Sequence, residues 1–159
     1  MAILTKAGRV AIAESLSLRN LHLAWGTGDG AWIVPPSEDV DATHLMAEVG
    51  RRLATEIAYV TPSPSGEIVL PTGNFTRSTT PTNNLYVRTA FDFPDAYSSV
   101  IREIGVFVGT QVVTGLPVGQ DYFTPGQVTS QGRLLHLENL GPIFRSPAIR
   151  ESFEVVITF

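Results

Sequence analysis

The side chains of this sequence that could take part in chemistry are few and scattered. His22, His44 and His136 are its three histidines, and there is no cysteine. A zinc site built from histidines needs ligands at short spacing, as in HxxxH or HExxH, and neither arrangement occurs. Asp29, Asp39, Asp41 and His44 form a looser cluster. A calcium loop alternates its oxygen ligands, turns on a glycine and closes on a glutamate, so this cluster reads as a solvated acidic linker instead. Gly26-Thr-Gly-Asp-Gly30 has the glycines of a phosphate cradle but runs into Ala-Trp-Ile-Val-Pro-Pro, which cannot open a helix, and no GK[ST] follows. A turn with positive φ is the expected structure. There is no GxSxG for nucleophilic catalysis. Glu48, Glu56, Asp92 and Glu103 could supply a glycosidase pair only beside an aromatic cleft, which nothing in the sequence indicates. The expectation is a protein without catalytic residues, metal or cofactor, and not an enzyme.

A second set of charges reads as structural. Glu48 and Arg51 are spaced to meet across one helical turn, or to pair with Arg102 and Glu103 between segments. An ion pair of this kind, half-buried or buried, sets register more than it adds stability.

Bulk composition points the same way. The chain has 159 residues, with 43% hydrophobic and only 16% charged, below the roughly 25% usual for soluble domains. Part of the surface is therefore expected to be covered by other protein. The net charge is −4, and the 11 Lys and Arg are dispersed except for Arg51-Arg52, so no basic stripe is available for nucleic acid. The opening MAILTKAGRVAIAESL carries Lys6, Arg9 and Glu14 and reads as neither a signal peptide nor a membrane span, which implies synthesis in a cytoplasm.

The elements that must position these residues follow from periodicity. IREIGVFVG, residues 101–109, is apolar or side-chain-free on both faces, as in the central strand of a core, and Gly105 within it implies a backbone or large side chain lying directly against it. Thr5 can cap a helix to about Leu18, with Leu4, Gly8, Ala11, Ile12 and Leu16 on its apolar face. Gly8 and Gly105 then suggest where this helix crosses the sheet. Leu21, Leu23 and Trp25 predict a strand with one buried face, 42–49 two helical turns capped by Gly50, and 51–61 one long strand. A turn at 62–66 leads to a brief return strand at 67–70. Residues 71–84, rich in Thr, Asn and Pro with Phe75 as the only large apolar side chain, read as an arm. Leu85 to Phe93 alternates most clearly, and a short helical turn follows from Pro94 through Val100. Residues 114–133 form a long excursion carrying Tyr122 and Phe123, and Phe75, Tyr122 and Phe123 are the expected partner contacts. Leu134–Leu137 and the closing ESFEVVITF predict two further strands, with Pro142 and Pro147 bracketing an irregular stretch. The predicted fold is α+β and mostly β: a single domain over 1–159, with an N-terminal helix packed on a β-sheet or β-sandwich whose middle is 103–108.

Four stretches in order resemble a bacteriophage family. Leu4-Thr-Lys-Ala-Gly8, Trp25-Gly-Thr-Gly-Asp-Gly30, Leu45 to Arg51 with Glu48, Val49 and Arg51 in an LxxEVxR manner, and Ile101-Arg-Glu-Ile-Gly-Val-Phe107 are similar to tail-collar fibre and baseplate-associated tail structural proteins, over residues 1 to about 109. The resemblance implies a virion structural protein at the tail tip or baseplate, with no catalytic residues to carry over. In long members this region is an attachment domain followed by a repetitive fibre shaft. No repeat is detectable here, so an adaptor or baseplate subunit attaching tail fibres is expected rather than a fibre that touches the host. Its partners would be other tail and baseplate proteins and copies of itself in a trimer or ring, met through sheet edges and irregular arms. The rival reading is a receptor-binding or carbohydrate-binding tail module using Trp25, Trp32, Tyr86, Tyr97 and Tyr122.

Overall fold

The computed structural model describes all 159 residues. In chain order the elements are α1 (Lys6–Ser17), β1 (Leu21–Gly26), β2 (Glu48–Leu53), β3 (Glu56–Pro62), β4 (Ile68–Leu70), β5 (Gly73–Ser78), β6 (Asn84–Phe91), β7 (Val100–Val108), β8 (Gln111–Val112), β9 (Tyr122–Phe123), a 3-10 turn (Pro125–Gln127), β10 (Val128–Ser130), β11 (Arg133–Phe144) and β12 (Glu151–Thr158). One helix and short to medium strands make the chain α+β and mostly β, as its alternations predict. No helix is long and apolar enough to cross a membrane. The contacts divide into two compact units, residues 1–19, 54–89 and 152–159, and residues 20–53 and 90–151.

The first unit holds a sheet in the order β12-β6-β3-β5-β4. Val60, Ile68, Phe75 and Tyr86 form its core, with Ala58, Leu70 and Val156 against them. Residues 71–84 are therefore not an arm. They supply β5, an interior strand paired on one side with β3 and on the other with β4, and its Phe75 is buried in the core beside its register neighbour Ile68 of β4. The return strand β4 pairs with β5 and not with β3. On β6 the predicted core positions Leu85, Val87, Thr89 and Phe91 are buried, Tyr86 is buried as well, and Phe93, expected on the same face, falls beyond the strand and is exposed. Thr5 caps α1, its Oγ1 accepting from Gly8 N at 3.1 Å. The inward stripe is rotated from the predicted one: Ala13 is fully buried and Val10, Leu16 and Ser17 are half-buried, while Leu4, Ala11 and Ile12 are exposed. The small Ala13 and the 2.6 Å hydrogen bond between Ser17 Oγ and the Tyr59 hydroxyl on β3 decide the orientation. The helix thus shares its unit with the β3 sheet and not with the sheet that contains 103–108.

The second unit holds the antiparallel sheet β11-β7-β1-β2-β9. Its middle strand is β1, all six residues of which are buried, so the predicted one-sided strand is covered on both faces. β7 is the neighbouring interior strand, with Ala24 opposite Gly105 and Trp25 opposite Ile104. The close approach implied by Gly105 is present: a Cβ there would lie 2.8 Å from Leu134 Cδ1 and 3.0 Å from Leu45 Cδ2. Those side chains fill the position that a helix crossing at Gly8 was expected to take. Residues 42–47 are irregular and lead straight into β2, so the predicted helical turns are absent. The predicted long strand over 51–61 is broken at Ala54-Thr55, where the chain changes partners: Leu53 N donates to Asp121 O, and Thr55 N to Arg88 O. Residues 93–98 are turns, with Ala96 at φ 45° and Ser98 at φ 72°. β11 runs through Pro142 because it is an edge strand whose register shifts between Asn139 and Ile143, and an edge position or a bulge tolerates a missing N–H.

Candidate functional site

Glu48 and Arg51 do meet, though on a strand. Residues three apart on a regular strand face opposite sides. Here Trp25 is opposite Gly50 and Gly26 opposite Glu48, which makes Val49 an extra residue and turns Glu48 to the side of Arg51. Arg51 Nε and Nη2 donate to Glu48 Oε1 and Oε2 at 2.8 and 2.7 Å. Nη1 donates to Thr110 Oγ1 at 2.8 Å and Gln131 O at 2.7 Å, and the guanidinium lies 4.3 Å from the Phe107 ring centroid. With its side chain only 1% exposed, Arg51 ties both ends of the 110–131 excursion to β2.

Arg102 and Glu103 do not join that pair. The buried Glu103 carboxylate accepts from Gly28 N at 3.3 Å, Met46 N at 3.0 Å and Ala47 N at 2.8 Å, clasping both ends of the 27–47 excursion. A Cβ at Gly26 would strike Glu103 Oε1, so glycine is what lets the carboxylate reach across the end of β1. Arg102 Nη1 donates to Thr27 O at 3.4 Å. The glycine loop itself is a turn, with Gly28 at φ 54°, and Trp32 folds back over it.

Two further anchors escaped the sequence reading. Arg52 bridges Asp95 Oδ2 at 2.8 Å and Asp121 Oδ1 at 2.6 Å. Arg145, its side chain fully buried, donates to the carbonyls of Asp92 at 2.9 Å, Asp95 and Ile149, and its guanidinium lies 4.9 Å from the Trp25 ring. The carbonyls of Asp92 and Asp95 are about 50 residues away in the chain and carry no side-chain signal, so no sequence pattern marks Arg145.

The histidines stay apart. His22 is buried on β1 with Nδ1 unpartnered and its ring 5.9 Å from that of Phe123, His44 is in the exposed 41–44 stretch, and His136 pairs with Val106 across β11 and β7. Burial, with the nearby Arg51 charge, holds His22 down at about 4. No group of three or more His, Asp or Glu side chains could hold a metal ion.

The expected partner contacts are corrected. Phe75 is in the core of the first unit, and Phe123 is buried opposite Arg51. Tyr122 is half-buried, its hydroxyl donating to Val49 O at 3.4 Å and its ring edge-on to Phe91. These aromatics attach the excursion to the sheet, because β9 pairs with β2. Trp25 and Tyr86 are likewise buried, and Tyr97 is the exposed member of the aromatic set weighed for sugar binding. What the excursions present outward is aliphatic: Ile33, Val34, Val40, Met46 and Val118 are all more than 60% exposed. Beside β11 lies an open cleft of about 340 Å3, lined by Glu38, Asp39, Val40 and Ala42 and by residues 134–137.

The arrangement is a set of long, well-anchored loops with apolar tips, which suits contact with other proteins. No curated protein matches this chain. A family model described as baseplate wedge 3 tail fiber network component matches residues 1–159. That description implies a place in the phage tail baseplate among other baseplate and tail proteins. The chain belongs to the family of baseplate wedge 3 tail fiber network components, structural parts of the bacteriophage baseplate.

Proposed function

We propose that this protein is a non-enzymatic assembly subunit that works as an adaptor, attaching tail fibres to the baseplate and associating with copies of itself in a trimer or ring. The observation that carries this reading is the contrast within each excursion. Its ends are held by buried charges, Glu103 for 27–47 and Arg51 for 110–131, while its tip exposes Ile33, Val34 or Val118 to solvent. Loops ordered in advance lose little conformational entropy when a neighbour covers them. Exposed aliphatic tips gain about 25 cal/mol per Å2 of area removed from water.

Light scattering on the purified protein, alone and mixed with an extract of the other tail proteins, tests the reading. A trimer or ring, or a shift into a larger complex with a tail protein, is the expected result. Ile33→Asp and Val118→Asp should weaken that shift without unfolding the chain. A monomer that ignores tail proteins but is retained on host surface glycans would replace this reading by the receptor-binding one.

A further inference from the structure

β11 is the outer strand of its sheet, hydrogen-bonded only to β7, and it is 12 residues long. An open edge of this length is normally shortened, covered or occupied. Asn139 shows which way its groups point. Its N–H, turned away from β7, donates to Glu38 Oε1 at 3.0 Å, and its side-chain amide donates to Pro36 O at 3.0 Å. In an antiparallel ladder residues two apart point their backbone groups the same way. Leu137 is two residues earlier and opposite Gly105 with no register shift between, so its N–H and C=O also face outward. No backbone partner meets them there. They open into the cleft of about 340 Å3 whose far wall is Glu38, Asp39, Val40 and Ala42. Glu38 thus stops the edge at Asn139 and leaves the adjoining stretch free inside a walled groove.

The groove is acidic. Glu38 and Asp39 line it, Asp41 lies in the same wall segment, and no Lys or Arg occurs anywhere from Thr27 to Gly50; on the β11 side the lining His136 is 3.7 Å from Glu138, and Arg133 stands at the start of the strand. We infer that this edge receives an extended, Lys- or Arg-bearing segment of a neighbouring tail protein, which adds a strand beside Leu137 and sets its cations against Glu38, Asp39 and Glu138. Main-chain pairing supplies the affinity of such strand addition, and side-chain complementarity its specificity. A second copy of this chain is the poorer occupant, since joining two β11 edges would bring the same carboxylates together. The inference rests on the assembly reading and names the chemistry of one partner.

Hydrogen exchange on the full chain tests it, with a short alternating Lys-Val peptide as probe and its Glu-Val counterpart as control. The Lys-Val peptide should slow exchange of the Leu137 amide by about tenfold or more, and the Glu-Val peptide should not. Asp39→Lys with Glu138→Lys should abolish the protection while leaving the unfolding midpoint close to that of the parent. Equal protection by both peptides, or protection that instead grows with protein concentration alone, overturns the cationic partner. No protection by either peptide, in a protein that still enters a larger complex with tail proteins, overturns the edge inference and leaves the assembly reading standing. A protein that enters no complex overturns the assembly reading first and this inference with it.

Discussion

Glu48 and Arg51 form a bidentate ion pair at 2.7 and 2.8 Å across a bulge at Val49, although their spacing on a regular strand would set them on opposite faces. The bulge aims a buried cation at a carboxylate on one side and at Thr110 and Gln131 on the other. Removing one partner of a buried pair leaves an uncompensated charge, which costs about 3–5 kcal/mol. Glu48→Ala should therefore lower stability by about 3 kcal/mol. Urea unfolding checks this as a lower midpoint at unchanged slope.

Glu103 gives a more local prediction. Its carboxylate satisfies three backbone N–H groups, those of Gly28, Met46 and Ala47. Glu103→Ala leaves these donors without their acceptor, at about 1–3 kcal/mol for each one kept from water. The expected outcome is early proteolytic cleavage within 28–47, ahead of global unfolding. Gly26→Ala, whose Cβ would collide with the same carboxylate, should show the same cleavage pattern.

His22 sets a pH dependence. Its folded value of about 4 lies below the ordinary 6.5, so the unfolded chain takes up the proton first as pH falls. The contribution of neutral His22 is complete above 6.5 and is lost as pH falls toward 4. A loss of roughly 2 kcal/mol between pH 7 and pH 5 is expected. Unfolding midpoints measured from pH 7 to 5 should fall in the parent and stay nearly flat in His22→Phe.

The 114–133 excursion separates fold from surface. An excursion serving only as a partner contact could be deleted over 116–131 without loss of the fold; the structure implies the opposite. Phe123 is buried, β9 pairs with β2, and Gln131 O accepts from Arg51. The deletion should yield no cooperatively folded protein by circular dichroism. Val118→Ser, at a fully exposed tip, should move the unfolding midpoint by less than about 0.5 kcal/mol in equivalent stability while reducing incorporation into particles.

Several features were legible in the sequence because they rest on local rules. Alternation over 85–91 marks β6, apolar residues on both faces mark β7 as interior, Thr5 marks the start of α1, and Gly105 marks a close approach. The ordered motifs carried the resemblance that the family match over 1–159 supports. The pairing of strands decided the rest. Residues 71–84 look like an arm because Thr, Asn and Pro lack the apolar run of a strand, yet β5 pairs with both β3 and β4, buries Phe75 and ties Arg77 to Glu56 and Glu67. Residues 51–61 read as one strand because alternation continues through Ala54-Thr55, where only the change of partners ends it. Types and spacing suggest a network of Glu48, Arg51, Arg102 and Glu103; Glu48 and Arg51 meet, while Arg102 and Glu103 bind the 27–47 loop. Their partners are a bulge-dependent neighbour, loop carbonyls and distant amides, and contacts across 50 to 80 residues are made by the tertiary fold alone.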